Sequence, residues 1–140
     1  KESSAASDVY KRQDEDLPLY YAAADVFAMP CRTRGHGLDV EGLGIVFLEA
    51  SATGIPVLVG NSGGAPETVH DGVTGVVVDG RDTEQVATEL LRFLASRERR
   101  TSFGKDGRAW MLSTWQWSVL GQKLRSILDG DAADSTQEGE

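Results

Sequence analysis

Three features of this 140-residue sequence predict an α/β fold, the second half of a doubly wound (Rossmann-like) domain with a helical C-terminal end. Short apolar runs of strand length alternate with helix-like segments. Each run is continuously apolar, as in strands that carry helices on both faces. From Asp82 onward the pattern is purely helical. Alternation of this kind implies right-handed crossovers and a parallel sheet.

In chain order, Asp14–Ala24 reads as a helix with Pro18 in its first turn and Leu17, Leu19 or Tyr20, and Ala23 or Ala24 as its apolar face. Asp25-Val-Phe-Ala-Met-Pro30 is a buried strand stopped by proline. Cys31–Gly42 is a loop, and Gly44–Ala52 a helix that ends at Gly54. Ile55–Val59 is the second strand, with Pro56 at its start. Asn61–Gly64 is a loop, Ala65–Val69 one helical turn, and Gly75–Val78 the third strand. A helix then begins near Thr83 with Val86, Leu90, Leu91 and Leu94 on one face. Two more follow, over Glu98–Met111 and Trp115–Leu128, the last with Val119, Leu120, Leu124, Ile127 and Leu128 as its apolar side.

The domain is expected over residues 14–128, with 1–13 a disordered or non-native leader and 129–140 a disordered acidic tail. Apolar residues make up 40% of the chain and charged residues 26%, the composition of a globular domain. The net charge is −8, and Asp129, Asp131, Asp134, Glu138 and Glu140 carry much of it. Such a chain offers no broad attraction to nucleic acid. The single cysteine, Cys31, excludes an internal disulfide and a CxxC metal site.

In open α/β sheets the ligand binds at the C-terminal ends of the strands. There the sequence places Val40-Glu-Gly-Leu-Gly-Ile-Val-Phe-Leu-Glu49. Gly42 and Gly44 allow close backbone approach. The unpaired N–H groups at the helix start, near Gly44–Val46, make an anion site. Glu41 and Glu49 flank it, and ionised carboxylates accept strong bonds from sugar hydroxyls. Two readings stand side by side. The segment is a nucleotide-sugar site, or Glu41 merely complements the helix dipole and Glu49 is a solvated helix residue. The second loop, Gly60-Asn-Ser-Gly-Gly-Ala-Pro-Glu67, reads first as a structural turn, with Glu67 either touching a donor or capping its short helix.

The stretch Tyr20–Gly80 resembles the donor-binding half of glycosyltransferase family 4, which has the GT-B fold. The resemblance lies in Tyr21-Ala-Ala-Ala-Asp-Val-Phe-Ala-Met-Pro30, Glu41-Gly-Leu-Gly-Ile-Val-Phe-Leu-Glu49-Ala50, Ala52-Thr-Gly-Ile-Pro-Val57, Gly63-Gly-Ala-Pro-Glu67 and Asp71-Gly-Val-Thr-Gly75, in order and spacing as a set. It implies a retaining transferase in which Glu41 acts at the reacting centre. Glu41 with Gly42, Leu43 and Gly44 would hold the donor sugar, Ile45 and Val46 the diphosphate, and Glu49 the ribose. It implies no cofactor and no bound metal. Cys31–Gly44 is similar to the actinobacterial GDP-mannose-dependent group that acts on phosphatidylinositol monomannoside, although Gly35-His36 departs from that group, where a larger residue is common. That likeness implies GDP-mannose as donor and a lipid-linked acceptor reached through an N-terminal domain. It also implies cytoplasmic residence with peripheral contact at the inner membrane face. A UDP-sugar donor, or a binding module without transfer chemistry, are the alternatives. Two or three earlier strands, a basic Arg and Lys pair and an acceptor domain belong to the family and have no counterpart in this sequence.

The remaining chemistry-bearing residues read as structural. His36 and His70 are lone loop histidines. Asp14-Glu-Asp16 and Asp129-Gly-Asp131 are solvated charge runs. Trp110, Trp115 and Trp117 read as packing residues on the terminal helices, some of them facing another domain.

Overall fold

The strands form one parallel sheet of three, in the order β1 (Phe27–Met29), β2 (Val57–Gly60), β3 (Gly75–Val78), in a computed structural model that describes residues 13–130. Phe27 pairs with Val57 and Val57 with Gly75, which fixes the register across all three. Helix α1 (Gln13–Ala22) precedes β1, and α2 (Ile45–Ala52) connects β1 to β2. A 3₁₀ turn, Ala65–Thr68, lies between β2 and β3. Helices α3 (Thr83–Ala95), α4 (Arg97–Thr114) and α5 (Trp117–Leu128) complete the chain. The expected leader and tail fall outside the described residues apart from Gln13, Asp129 and Gly130.

The period-2 alternation of β2 divides the core into two layers. Val57 and Val59 face Phe47, Ala50, Ile55, Ala65 and Val69, with Tyr21, Phe27 and Met29 packed at the margin. Leu58 faces the other way, onto Val76, Val78, Phe93 and Phe103. Both faces of the sheet are therefore covered, as the apolar runs required. Central β2 is buried at every position, whereas β1 is a half-buried edge strand, with Ala28 exposed.

The structure corrects three sequence readings. The inward residues of α1 are Leu17 and Tyr21, while Leu19 and Tyr20 are each 67% exposed. Tyr21 is drawn in by an edge contact with Phe27 at 5.4 Å and by a hydroxyl bond to Glu49. Because α1 begins at Gln13, Pro18 sits inside the helix rather than in its first turn, and one intrahelical bond is lost there. The inner face of α3 runs through Val86, Leu90 and Phe93, leaving Leu91 and Leu94 exposed. Phe93 wins that place because its ring meets Phe103 edge-on at 5.3 Å.

Candidate functional site

The C-terminal ends of all three strands open on one edge of the sheet, and the connections there are bonded to one another. After β1 the chain passes Cys31–Gly44, and after β2 it passes Asn61–Gly64. Ser62, buried, accepts the Glu41 backbone N–H at 3.3 Å and lies 3.0 Å from the Thr33 hydroxyl. The Gly64 N–H donates to the carbonyls of Glu41 and Gly42, at 3.3 and 2.9 Å. A methyl group on Gly63 would stand 1.8 Å from the Glu41 carbonyl oxygen, and one on Gly64 2.3 Å from that of Gly42. The glycine pair is thus structural, as first read. It lets the backbone lie directly against the Glu41 loop and set its height.

Gly44 ends that loop with left-handed backbone, φ 75° and ψ 57°, and a methyl group there would meet Phe47 at 2.6 Å. Phe47 is fully buried, so the helix cannot yield. From this bend α2 departs with its first N–H groups free. Among the described residues, no acceptor takes the backbone N–H of Gly42, Leu43, Gly44, Ile45 or Val46. Unpaired donors at and just before the positive end of a helix dipole are the kind of feature that can accept an oxyanion. Glu41, Leu43, Gly44, Ile45 and Val46 together with Met29 line a cavity of about 340 Å³ at this point.

Glu49 does not open into that cavity. It lines an adjoining apolar groove of about 280 Å³ with Leu43, Ile45, Met111, Trp115 and Trp117. It also lines a larger space of about 680 Å³ between α1, α2 and α4, where Arg108 is the facing cation. Leu43 and Ile45 belong to both the Glu41 cavity and the groove, so the two carboxylates flank one helix start on adjoining surfaces. The larger space is not lined by Gly42–Val46, whereas Leu43, Gly44, Ile45 and Val46 all line the smaller one.

Tyr21 is a site residue that the sequence reading does not single out. Its hydroxyl donates to Glu49 Oε2 at 2.9 Å and so leaves the other carboxylate oxygen without this partner. Burial, then the bond to Glu49 and its negative charge, push the Tyr21 phenol up to about 12. The phenol therefore stays a donor throughout the physiological range. The available signal was its four-residue spacing from Leu17, which puts both on one helix face. Burial also pushes the Cys31 thiol up, and the charge of nearby Glu41 adds to it. The thiol donates to the Gly60 carbonyl at 3.4 Å.

The other polar residues divide differently. His70 is exposed and lies edge-on to Trp110 at 4.6 Å, and Trp110 meets Trp115 at 5.9 Å. These two tryptophans pack, whereas Trp117 is 89% exposed. Glu67 is exposed in its 3₁₀ turn, whose cap involves no side-chain bond.

The family pattern described as Glycosyl transferases group 1 matches residues 2–110. The chain belongs to this glycosyl transferases group 1 family. It is 57% identical over 119 residues to a GDP-mannose-dependent alpha-(1-6)-phosphatidylinositol monomannoside mannosyltransferase of Mycobacterium tuberculosis, covering 85% of this chain and 31% of that protein. The protein of the same description from Mycolicibacterium smegmatis is 59% identical over 116 residues, covering 83% of this chain and 30% of its own length. This glycosyl transferase chain thus spans about a third of the curated relatives it matches. Among solved structures, Anabaena HepE in complex with UDP superposes with a TM-score of 0.71 at 19% identity, over 89% of this chain and 36% of that one. Sucrose-phosphate synthase from Thermosynechococcus elongatus superposes at 0.67 with 30% identity, over 80% and 27%. The expected GT-B type of α/β fold with a helical C-terminal end is borne out. Among the described residues, no helix is long and apolar enough to cross a membrane.

Proposed function

We propose that this chain is the donor-binding part of a retaining mannosyltransferase that moves mannose from GDP-mannose to a phosphatidylinositol mannoside acceptor. The observation that carries the reading is the run of five unpaired N–H groups, Gly42–Val46, between Glu41 and Glu49. The GDP-mannose-dependent phosphatidylinositol monomannoside mannosyltransferases among its relatives support this donor and acceptor class.

In this reading the N–H groups of Ile45 and Val46 take the diphosphate, where the helix dipole stabilises its charge. As the glycosidic bond breaks, negative charge grows on the diphosphate and positive charge on the sugar ring. The fixed donors stabilise the first without reorganising. Glu41, with its backbone tied to Ser62 and Gly64, orients the sugar with Gly42, Leu43 and Gly44 and offsets the second. The acceptor hydroxyl then attacks the face from which GDP leaves, its proton passes to the departing phosphate oxygen, and configuration is retained. Glu49, steadied by Tyr21, accepts from the ribose hydroxyls. No metal enters the scheme, since the N–H groups supply the positive end. The acceptor would be held mainly by a further domain of the longer protein, at the inner face of the cell membrane.

The test is calorimetric titration of the chain with GDP-mannose, GDP, UDP and inorganic diphosphate. GDP-mannose binding that Gly44→Ala abolishes supports the reading. Binding of none of the four by folded protein removes it.

A further inference from the structure

We propose that Arg32, Arg34 and Arg81 form a site for the headgroup phosphodiester of an anionic phospholipid, with Leu38 entering the lipid interface beside it. Identifying that lipid with the acceptor rests on the mannosyltransferase reading. The site itself rests on the following geometry.

Thr33 turns its side chain inward, its hydroxyl 3.0 Å from that of buried Ser62. Arg34 is extended, at φ −125° and ψ 175°. Alternate side chains of extended backbone face opposite ways, so Arg32 and Arg34 share the side that Thr33 leaves, and both are exposed. Arg81 arrives from the end of β3, and its Nη2 donates to the Thr33 carbonyl at 2.7 Å. The Arg81 guanidinium is thereby held against the backbone between Arg32 and Arg34, in a chain whose net charge is −8.

None of the three is in a salt bridge among the described residues. The acids next to Arg81 are engaged by backbone. Asp79 accepts from the Arg81 N–H at 2.9 Å, and Asp82 from the N–H groups of Glu84 and Gln85. Asp39 meets Arg34 through two backbone bonds, at 2.8 and 3.2 Å. Arginine presents a planar fork that suits a phosphodiester, and it is weakly hydrated enough to be used at an interface.

The two Arg34–Asp39 bonds close a knuckle whose tip is three consecutive left-handed residues, Gly35, His36 and Gly37, at φ 58°, 55° and 94°. A side chain at His36 makes this an unfavourable conformation that the closure must hold. Beside exposed His36 and Asp39 the knuckle presents Leu38, 91% exposed, and Val40, 50% exposed, follows it. Arginines that form no salt bridge among the described residues, beside an exposed leucine, are the elements of an interfacial contact with anionic lipid. Glu41 follows Val40 directly, so a lipid held here lies next to the proposed sugar position.

The test is co-sedimentation of the 140-residue chain with vesicles of phosphatidylcholine alone, with added phosphatidylinositol, or with added phosphatidylglycerol. Circular dichroism checks that each variant folds. The expected result is capture by phosphatidylinositol vesicles, none by phosphatidylcholine, and release by soluble glycerophosphoinositol. Arg81→Gln should lower the partition roughly fivefold and the Arg32→Gln/Arg34→Gln pair roughly twenty-five-fold. Absence of capture, or equal capture of the folded arginine variants, overturns the proposal. Equal capture by phosphatidylglycerol vesicles with no release by glycerophosphoinositol also overturns it, because the patch would then read surface charge alone. Where a variant fails to fold, release from the unaltered chain decides. GDP-mannose titration of the same samples separates the two readings. Arginine-dependent capture without donor binding would sustain the lipid site and sink the donor site.

Discussion

Tyr21 is the residue that holds Glu49, on which the proposed ribose contact depends. Tyr21→Phe keeps the ring against Phe27 and removes only the bond to Glu49. It should cost about 1 kcal/mol of stability, read from a urea melt, and weaken GDP severalfold by calorimetry. The titration of this phenol has a definite sign. Its folded pKa of about 12 lies above the ordinary 10.0, so its contribution to stability is complete below pH 10. That contribution is lost as pH rises from 10 toward 12, because the unfolded chain releases the proton first. Urea melts at pH 9 and pH 11.5 should show this loss in the unaltered chain. They should not show it for this group in Tyr21→Phe. Residue chemistry was only partly legible in the sequence. Glu41 and Glu49 stand out because glycines and a helix start surround them. Tyr21 did not, because its partner lies 28 residues away and only folding brings them together.

Among the elements, the loop pair that builds the site is the most constrained. Gly64→Ala would drive a methyl group into the Gly42 carbonyl. It should destabilise the chain by roughly 1–3 kcal/mol, measured by denaturant melting, and displace the Glu41 loop. GDP-mannose affinity should fall further than the melt alone accounts for. Strand and helix types were readable from apolar runs and from Gly54, whose φ of 80° ends α2 as the sequence suggested. Helix faces were less so. Periodicity alone selects Leu91 and Leu94 on α3, but a fully buried Phe93 outweighs them through its pairing with Phe103. The glycine pair Gly63-Gly64 was readable as a sharp bend. Its purpose, holding the Glu41 backbone from below, required the tertiary fold.

For the molecule as a whole, two features predict weak stability. Strand β1 is an edge of three residues, and an uncovered edge invites pairing with other chains. Helix α5 leaves Trp117, Leu124, Ile127 and Leu128 mostly exposed. Light scattering during size-exclusion chromatography should show association that grows with concentration. Lys at Trp117 and Ile127 should reduce it. The chain alone should transfer no mannose, because nothing among the described residues forms a second wall to align an acceptor and exclude water. Lipid-linked product formed by the purified 140-residue chain would contradict that.

The central claim is that Glu41 acts on the sugar and Glu49 on the nucleotide, and one paired measurement addresses it. Glu41→Gln and Glu49→Gln, placed in a longer transferase that carries this segment, would each be measured for GDP affinity and for mannose turnover. Glu41→Gln should lower turnover strongly with GDP affinity nearly unchanged, because GDP has no sugar to hold. Glu49→Gln should weaken GDP by roughly tenfold to a hundredfold, the worth of one charge-assisted bond. Near-normal turnover in the first together with near-normal GDP affinity in the second would contradict the assignment of both residues.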